Sequence, residues 1–212
     1  MWKSYVLQWA YRANVCLAQT GLTALPGLSR LKRTAKALLM KTLKPHQPYL
    51  ATVNGLPMFV YTDSHDFRIY THRPFEPYTT ELLRQSVQPG ATVLDIGAQF
   101  GYFSLVAAQH AGPHGRVYAF EPAPENLALL QRNVQLHGYG DVIRVVQKAV
   151  GDRPAVVTLF VYEGTDSHAL YPPNGAVIRA TVSVKCVTID GFIGERPVDV
   201  VKLDVEGHEP YA

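Results

Sequence analysis

The stretch Thr92-Val-Leu-Asp-Ile-Gly-Ala-Gln-Phe-Gly-Tyr-Phe-Ser104 constrains this chain more than any other. Thr92 to Ile96 is a short apolar, β-branched run that predicts a buried strand carrying Asp95 near its end. Gly97 and Gly101 follow, where the backbone must turn and where a ligand can come close. From Tyr102 the spacing becomes helical, with Phe103, Val106 and Ala107 on one face. A strand that feeds a helix through glycines is how α/β proteins hold a nucleotide-like ligand at the carboxyl end of the strand.

The chain downstream repeats the strand-helix alternation. Arg116-Val-Tyr-Ala-Phe-Glu121 predicts a second buried strand ending in an acid, and Pro122 and Pro124 open a helix that runs to about His137. Asp141 to Val146 predicts a third strand, and Asp199-Val-Val-Lys-Leu-Asp204 a further one, again ending in acid. Ala155 to Tyr162 and Ala180 to Val187 have strand character and flank a polar loop, Glu163 to Gly175. The pattern predicts an α/β fold with a parallel, doubly wound sheet covered by helices on both faces. Upstream, Thr79 to Gln88 predicts a helix. Leu56 to Tyr61 and Phe67 to Thr71 predict a hairpin around Asp63-Ser-His-Asp66. Pro45 and Pro48 mark a linker.

Charge is distributed unevenly. Residues 1–44 hold eight Lys or Arg and no acid, whereas the remaining 168 residues hold 12 basic and 17 acidic groups. The net charge of +3 therefore belongs to the N-terminal arm. Two helical segments, 2–19 and Leu28 to Leu43, make up this arm, so the chain divides into residues 1–48 (basic helical arm and linker) and 49–212 (main domain). A basic amphipathic helix suits contact with an anionic membrane surface or a partner. The plainer alternative is an arm packed on the domain with its lysines in water. No apolar run reaches the roughly 18 residues of a membrane-spanning helix, and the first 25 residues lack a secretion signal's compact apolar region, which sets a cytoplasmic location as the expectation. Cys16 and Cys186 match no metal spacing, nor does any His/Cys/Asp cluster, so no metal is expected. Basic residues do not interleave with aromatics in a nucleic-acid pattern within the domain, and nucleic acid is not an expected partner.

Motif spacing narrows the ligand. Dinucleotide sites use G-x-G-x-x-G to seat a pyrophosphate. Here the glycines are four apart and Asp95 precedes them, which disfavours phosphate and suits a cationic ligand. S-adenosylmethionine carries a sulfonium and an α-amino group and no phosphate. Glu121, 24 residues after Gly97, fits hydrogen bonding to ribose hydroxyls. NAD and S-adenosylmethionine both use that device, so Glu121 alone does not choose between them.

Four segments in register then carry a resemblance: Val93-Leu-Asp-Ile-Gly-Ala-Gln-Phe-Gly-Tyr102, Val117-Tyr-Ala-Phe-Glu-Pro122, Lys148-Ala-Val-Gly-Asp152 and Val201-Lys-Leu-Asp-Val-Glu-Gly-His-Glu209. Together with Val187-Thr-Ile-Asp190, they are similar to the FkbM-type S-adenosylmethionine-dependent methyltransferases over residues 53–209. The resemblance implies a Rossmann-like class I methyltransferase sheet and methyl transfer to a hydroxyl of a sugar, glycan or natural product. It also implies Asp95, Gly97 and Gly101 at the methionine end of the cofactor, Glu121 at the ribose, and Ala149, within Lys148 to Val150, beside the adenine. Gln99 departs from the family's usual asparagine.

An alcohol acceptor must lose its proton, and candidate bases cluster on Asp204-Val-Glu206-Gly-His208. If the strand continued, residues 204 and 206 would point the same way. The loop Gly164 to Leu170 is expected either to border the acceptor or to be a surface turn. No helix is expected after the last strand, so the sequence reads as truncated with its final strands missing. That raises a second expectation from a different class: a cofactor-binding remnant or pseudoenzyme whose basic arm docks on a membrane or protein.

Overall fold

A computed structural model describes residues 48–61, 74–162, 168–171 and 177–212. The chain divides into two compact units, one of residues 1–49 and 61–63 and a larger one of 50–60 and 64–212. Of the smaller unit only residues 48, 49 and 61 are described, so the basic arm lies outside the described residues. The fold below is that of the larger unit.

A hairpin comes first, but not the expected one. β1 (Pro48–Val53) pairs with β2 (Leu56–Tyr61), so Pro48 opens a strand instead of marking a linker. Asn54 and Gly55 form the two-residue turn, with φ of 45° and 89°. Positive φ at both positions is what a tight hairpin turn requires, and Asn-Gly supplies it with least strain. The expected partner strand, 67–71, lies outside the described residues. Ala51, Val53, Met58 and Val60 alternate inward along the two strands.

Among the described residues the central sheet has four parallel strands in the order β5-β4-β3-β9, with β3 at Thr92–Ile96, β4 at Arg116–Phe120, β5 at Ile143–Val146 and β9 at Val200–Leu203. Crossover helices carry the chain between them: α1 (Pro77–Ser86) precedes β3, α2 (Tyr102–Ala111) joins β3 to β4, and α3 (Pro124–Leu136) joins β4 to β5. α2 is buried almost all round because it lies between the sheet and α1. On the opposite face Leu94, Ile96, Tyr118 and Phe120 pack with Phe192 and Ile193 of the short α4 (Ile189–Ile193). Helices thus cover both faces, as the alternation predicts.

The flanking strands depart from the doubly wound pattern. β6 (Ala149–Val150), β7 (Ala155–Tyr162) and β8 (Ile178–Val187) form a separate sheet in the order β6-β8-β7. β7 and β8 pair antiparallel, with Ala155 opposite Cys186. Parallel pairing needs a crossover of a dozen or more residues, usually a helix, whereas antiparallel strands can be joined directly. Its inner face, Leu159, Val184 and Cys186, packs with Ala123 and Ala149 at the carboxyl edge of the main sheet. No described helix is long and apolar enough to cross a membrane.

Candidate functional site

The strand order fixes where a ligand can sit. The chain leaves β3 toward β4 and β5 on one side and returns as β9 on the other. Open α/β sheets bind ligands at such a reversal, outside the carboxyl ends of the strands. A cleft of about 260 Å³ opens there. The turn Gly97 to Gln99 forms its floor, Glu121 and Pro122 follow β4, and Lys148 to Val150 follow β5. Lys202 lines it from β9, Asp204 to Glu206 and His208 form the lip past β9, and Phe75, Glu76, Tyr102 and Phe103 form a wall.

Gly97 has a φ of 81°, and a Cβ there would lie 1.8 Å from the Asp204 carbonyl oxygen. Any side chain would push β9 off β3. Its N–H and that of Ala98 donate to the Phe120 carbonyl at 3.0 and 2.8 Å, tying the turn to the end of β4. Gly101 does not line the cleft. Its φ is 91° and a Cβ would meet Leu130 Cδ1 at 2.4 Å, so this glycine seats the start of α2 against α3.

Asp95 lies beneath the floor and not in the lining. Ser104 Oγ donates to its Oδ2 at 2.5 Å, and Lys202 Nζ lies 3.6 Å from its Oδ1. Lys202 stands directly opposite Asp95 in the β3–β9 register. The ammonium also donates to the Gly97 carbonyl at 3.2 Å and lies 3.7 Å from Asp204 Oδ2. The charge of Asp95 is thus answered by Lys202, and the acids that face the cleft are Glu76, Glu121, Asp204 and Glu206. The motif reading gave Lys202 no role. The available signal was its alternation with Asp204 on a strand end, which sets the two on one face.

Glu121 is buried at the end of β4. Its Oε2 accepts the Gln99 N–H at 2.9 Å, its Oε1 accepts the Ala123 N–H at 2.8 Å, and the Asn126 side chain adds a third bond. Burial nevertheless dominates and, with a smaller push from the Asp95 charge, raises its carboxyl from 4.5 to about 7. A carboxylate offers about four acceptor sites, so at least one remains for a ligand hydroxyl.

On the lip, β9 ends at Leu203 and the chain turns, with Glu206 at φ 54° and Gly207 at φ 93°. The strand alternation that would align residues 204 and 206 therefore stops short, although Asp204, Glu206 and His208 all line the cleft. Glu209 holds this turn: its Oε1 accepts from the N–H of Val205 at 2.8 Å and of Gly207 at 3.3 Å, and backbone hydrogen bonds keep its carboxyl below the usual range. His208 is buried between Tyr171 and Tyr211, with ring centroids at 5.6 and 5.3 Å. Its Nδ1 has no hydrogen-bond partner among the described residues. His168 and Leu170, from the end of the loop expected to border the acceptor, also reach the cleft; residues 163–167 lie outside the described residues. No cluster of three His, Cys, Asp or Glu among the described residues could hold a metal.

The sequence finds its counterpart in known proteins. Residues 95–210 match the Methyltransferase FkbM domain, which is more than half of the chain. The chain belongs to the FkbM methyltransferase family. It is 33% identical over 141 residues to the 31-O-demethyl-FK506 methyltransferase FkbM of Streptomyces tacrolimicus, covering 65% of this chain and 49% of that one. It is also 46% identical over 65 residues to the protein-L-isoaspartate O-methyltransferase of Aeropyrum pernix, covering 31% and 24%. Among solved structures, Trm5b from Pyrococcus abyssi is 19% identical and covers 50% of this chain and 31% of that one, with a TM-score of 0.38. The chain spans about half the length, or less, of these two curated relatives.

The cofactor of an FkbM methyltransferase is S-adenosylmethionine, and the cleft fits it. Gly97 lines the cleft without a side chain, and Glu121 keeps acceptor capacity for a ribose. Lys148 to Val150 lie across the next strand end, on the side where an adenine would follow.

Proposed function

We propose that this chain transfers the methyl group of S-adenosylmethionine to a hydroxyl oxygen of a sugar, glycan or natural product, with Asp204 as the general base. When bound, the cofactor supplies an electrophilic methyl on a sulfonium. The chain has two tasks: to hold the cofactor and to align and deprotonate an oxygen in line with that methyl. Gly97, Glu121 and Ala149 hold it. Asp204 takes the hydroxyl proton, and Glu206 and His208 shape the same lip.

The observation that carries this reading is the contact between Asp204 and Gly97. The two backbones meet so closely that no Cβ fits between them. This brings the Asp204 carboxylate, paired to Lys202, beside the floor on which the cofactor would lie. The Streptomyces relative is named as a methyltransferase of 31-O-demethyl-FK506, and the Aeropyrum relative as a protein-L-isoaspartate O-methyltransferase, so oxygen figures in both names. A carboxylate acceptor is already ionised at neutral pH and needs no base, whereas an alcohol does. The acid on the lip therefore favours the alcohol.

The test uses the full chain with methyl-tritiated S-adenosylmethionine and a panel of glycan and polyol acceptors. Label in a base-stable ether, lost in Asp204→Asn, is the expected result. Label in a base-labile ester that survives Asp204→Asn, or label on nitrogen, would refute the proposal.

A further inference from the structure

The wall of the cleft contains an acid that none of the motifs includes. Glu76 immediately precedes α1 and adopts φ 38° and ψ 63°, the left-handed region that a side-chain-bearing residue enters at a cost. Strain of this kind persists only where the surroundings enforce it, and it concentrates at ligand sites. Here the enforcement is visible. Asn54 at the hairpin turn clamps the preceding residue from both sides, accepting the Phe75 N–H at 2.8 Å and donating to the Phe75 carbonyl at 2.7 Å. The Thr80 N–H donates to the Glu76 carbonyl at 2.9 Å. The Tyr102 hydroxyl joins the same knot, 2.6 Å from Asn54 Nδ2 and 3.1 Å from Thr80 Oγ1. All of these bonds use backbone or neighbouring groups. Among the described residues none engages the carboxylate of Glu76, an exposed residue that belongs to the lining of the cleft.

Its end of the cleft is set by aromatic contacts. The Phe75 ring packs against Tyr102 and Phe103 at 5.1 and 5.9 Å. Lys202 Nζ lies 5.2 Å from the Phe103 ring and reaches the Gly97 carbonyl. Glu76 therefore belongs to the β3–β9 side, whereas Glu121 and Lys148 belong to the β4–β5 side. A cofactor with its ribose at Glu121 and its adenine beyond β5 has only the β3–β9 side for its amino-acid end. That end carries a primary ammonium, a donor in need of an anionic acceptor.

We infer that Glu76, held in a strained conformation by Asn54 and Tyr102, is the carboxylate that receives the α-ammonium of S-adenosylmethionine. The assignment rests on the S-adenosylmethionine reading of the cleft. Asp95 cannot take this role from beneath the floor, where Ser104 and Lys202 already engage it.

Calorimetry on the full chain with two probes tests the assignment without an acceptor. S-adenosylhomocysteine keeps the ammonium and carboxylate, and 5′-methylthioadenosine lacks both. Wild type is expected to bind the first at least ten-fold more tightly. Glu76→Gln should remove most of that advantage while changing 5′-methylthioadenosine binding less than two-fold. Glu76→Gly relieves the backbone strain and removes the carboxylate, and should show the same selective loss with an unimpaired melting temperature. Retention of the full preference in both variants would overturn the assignment, as would an equal loss of both probes, which marks a purely structural segment. A wild type that binds neither probe overturns the cofactor reading, and this assignment with it. A wild type that binds both equally overturns the assignment alone.

Discussion

Glu121 gives the sharpest quantitative consequence of this site. Its carboxyl is raised from 4.5 to about 7, chiefly because burial strips water from the charged form. A raised carboxyl in the folded state means that the fold binds the proton more tightly than the unfolded chain does. The corresponding stability is fully present below about pH 4.5 and is lost as pH rises through 7. A shift of this size is worth about 3 kcal/mol. Urea unfolding at constant ionic strength from pH 4.5 to 8.5 should therefore show wild type losing about 3 kcal/mol more across the window than Glu121→Gln does. The comparison with the variant matters because other groups titrate in the same range and cancel in the difference. Glutamine offers one oxygen where two backbone donors now find two, so one N–H loses its acceptor at roughly 1–3 kcal/mol at every pH. That lowers the variant's level and leaves its slope unaffected. A wild-type-minus-variant difference that stays flat with pH would refute the burial argument.

The same group couples to the cofactor. Ribose hydroxyls donate, so they bind the ionised carboxylate, and a sulfonium favours the negative charge further. At pH 6.5 a group titrating near 7 is roughly three-quarters protonated, and binding should release about that fraction of a proton. Calorimetry with S-adenosylhomocysteine in buffers of different ionisation enthalpy reads the fraction directly. The release should vanish in Glu121→Gln and fade above pH 8. Binding enthalpies independent of the buffer at pH 6.5 would separate Glu121 from the ribose.

The central sheet could be read from the sequence because its strands are short apolar runs closed by acids, spaced by helices that match the parallel rule. Thr92–Ile96 and Ala155–Tyr162 fall on the expected boundaries. The expected hairpin of Leu56 to Tyr61 with Phe67 to Thr71 turns on residues outside those described, whereas the β1–β2 hairpin turns at Asn54-Gly55, a dipeptide that is itself a strong turn signal. Within the site, motifs mark glycines and acids by type and spacing, and the Gly97 turn, Glu121 and the lip acids follow. Two things lie beyond such a reading. One is depth: Asp95 and Gly97 are only two residues apart, yet the Asp95 side chain is buried against Ser104 within the strand, while Gly97, past the strand's end, lines the cleft with backbone. The other is the wall, since Glu76 reaches the site only through bonds from Asn54, 22 residues earlier, and Tyr102, 26 residues later.

Further perturbations test how the site is held. Gly97→Ala adds a Cβ 1.8 Å from the Asp204 carbonyl oxygen, which is backbone and cannot swing aside, so the variant should fail to fold or melt far below wild type. Gly101→Ala meets a movable Leu130 methyl at 2.4 Å and should be milder, at roughly 1–3 kcal/mol in urea unfolding. Asn133→Ala removes two bonds to Phe59 and one to the Phe100 carbonyl, and should cost on the order of 3 kcal/mol while loosening the hairpin in hydrogen exchange. Lys202→Met is the most informative of the set. It leaves Asp95 buried with Ser104 as its one remaining partner among the described residues and frees Asp204 from its ion pair with Lys202. Breaking a buried pair from one side costs about 3–5 kcal/mol, because the remaining charge is stranded. Asp204 is half exposed and loses little of its hydration, so the penalty belongs to Asp95. Adding Asp95→Asn to Lys202→Met should then recover most of the loss, whereas adding Asp204→Asn should recover almost none. If instead Asp204→Asn is the rescuing change in urea unfolding, the lysine serves the lip and not the floor, and Asp95 is stable without it.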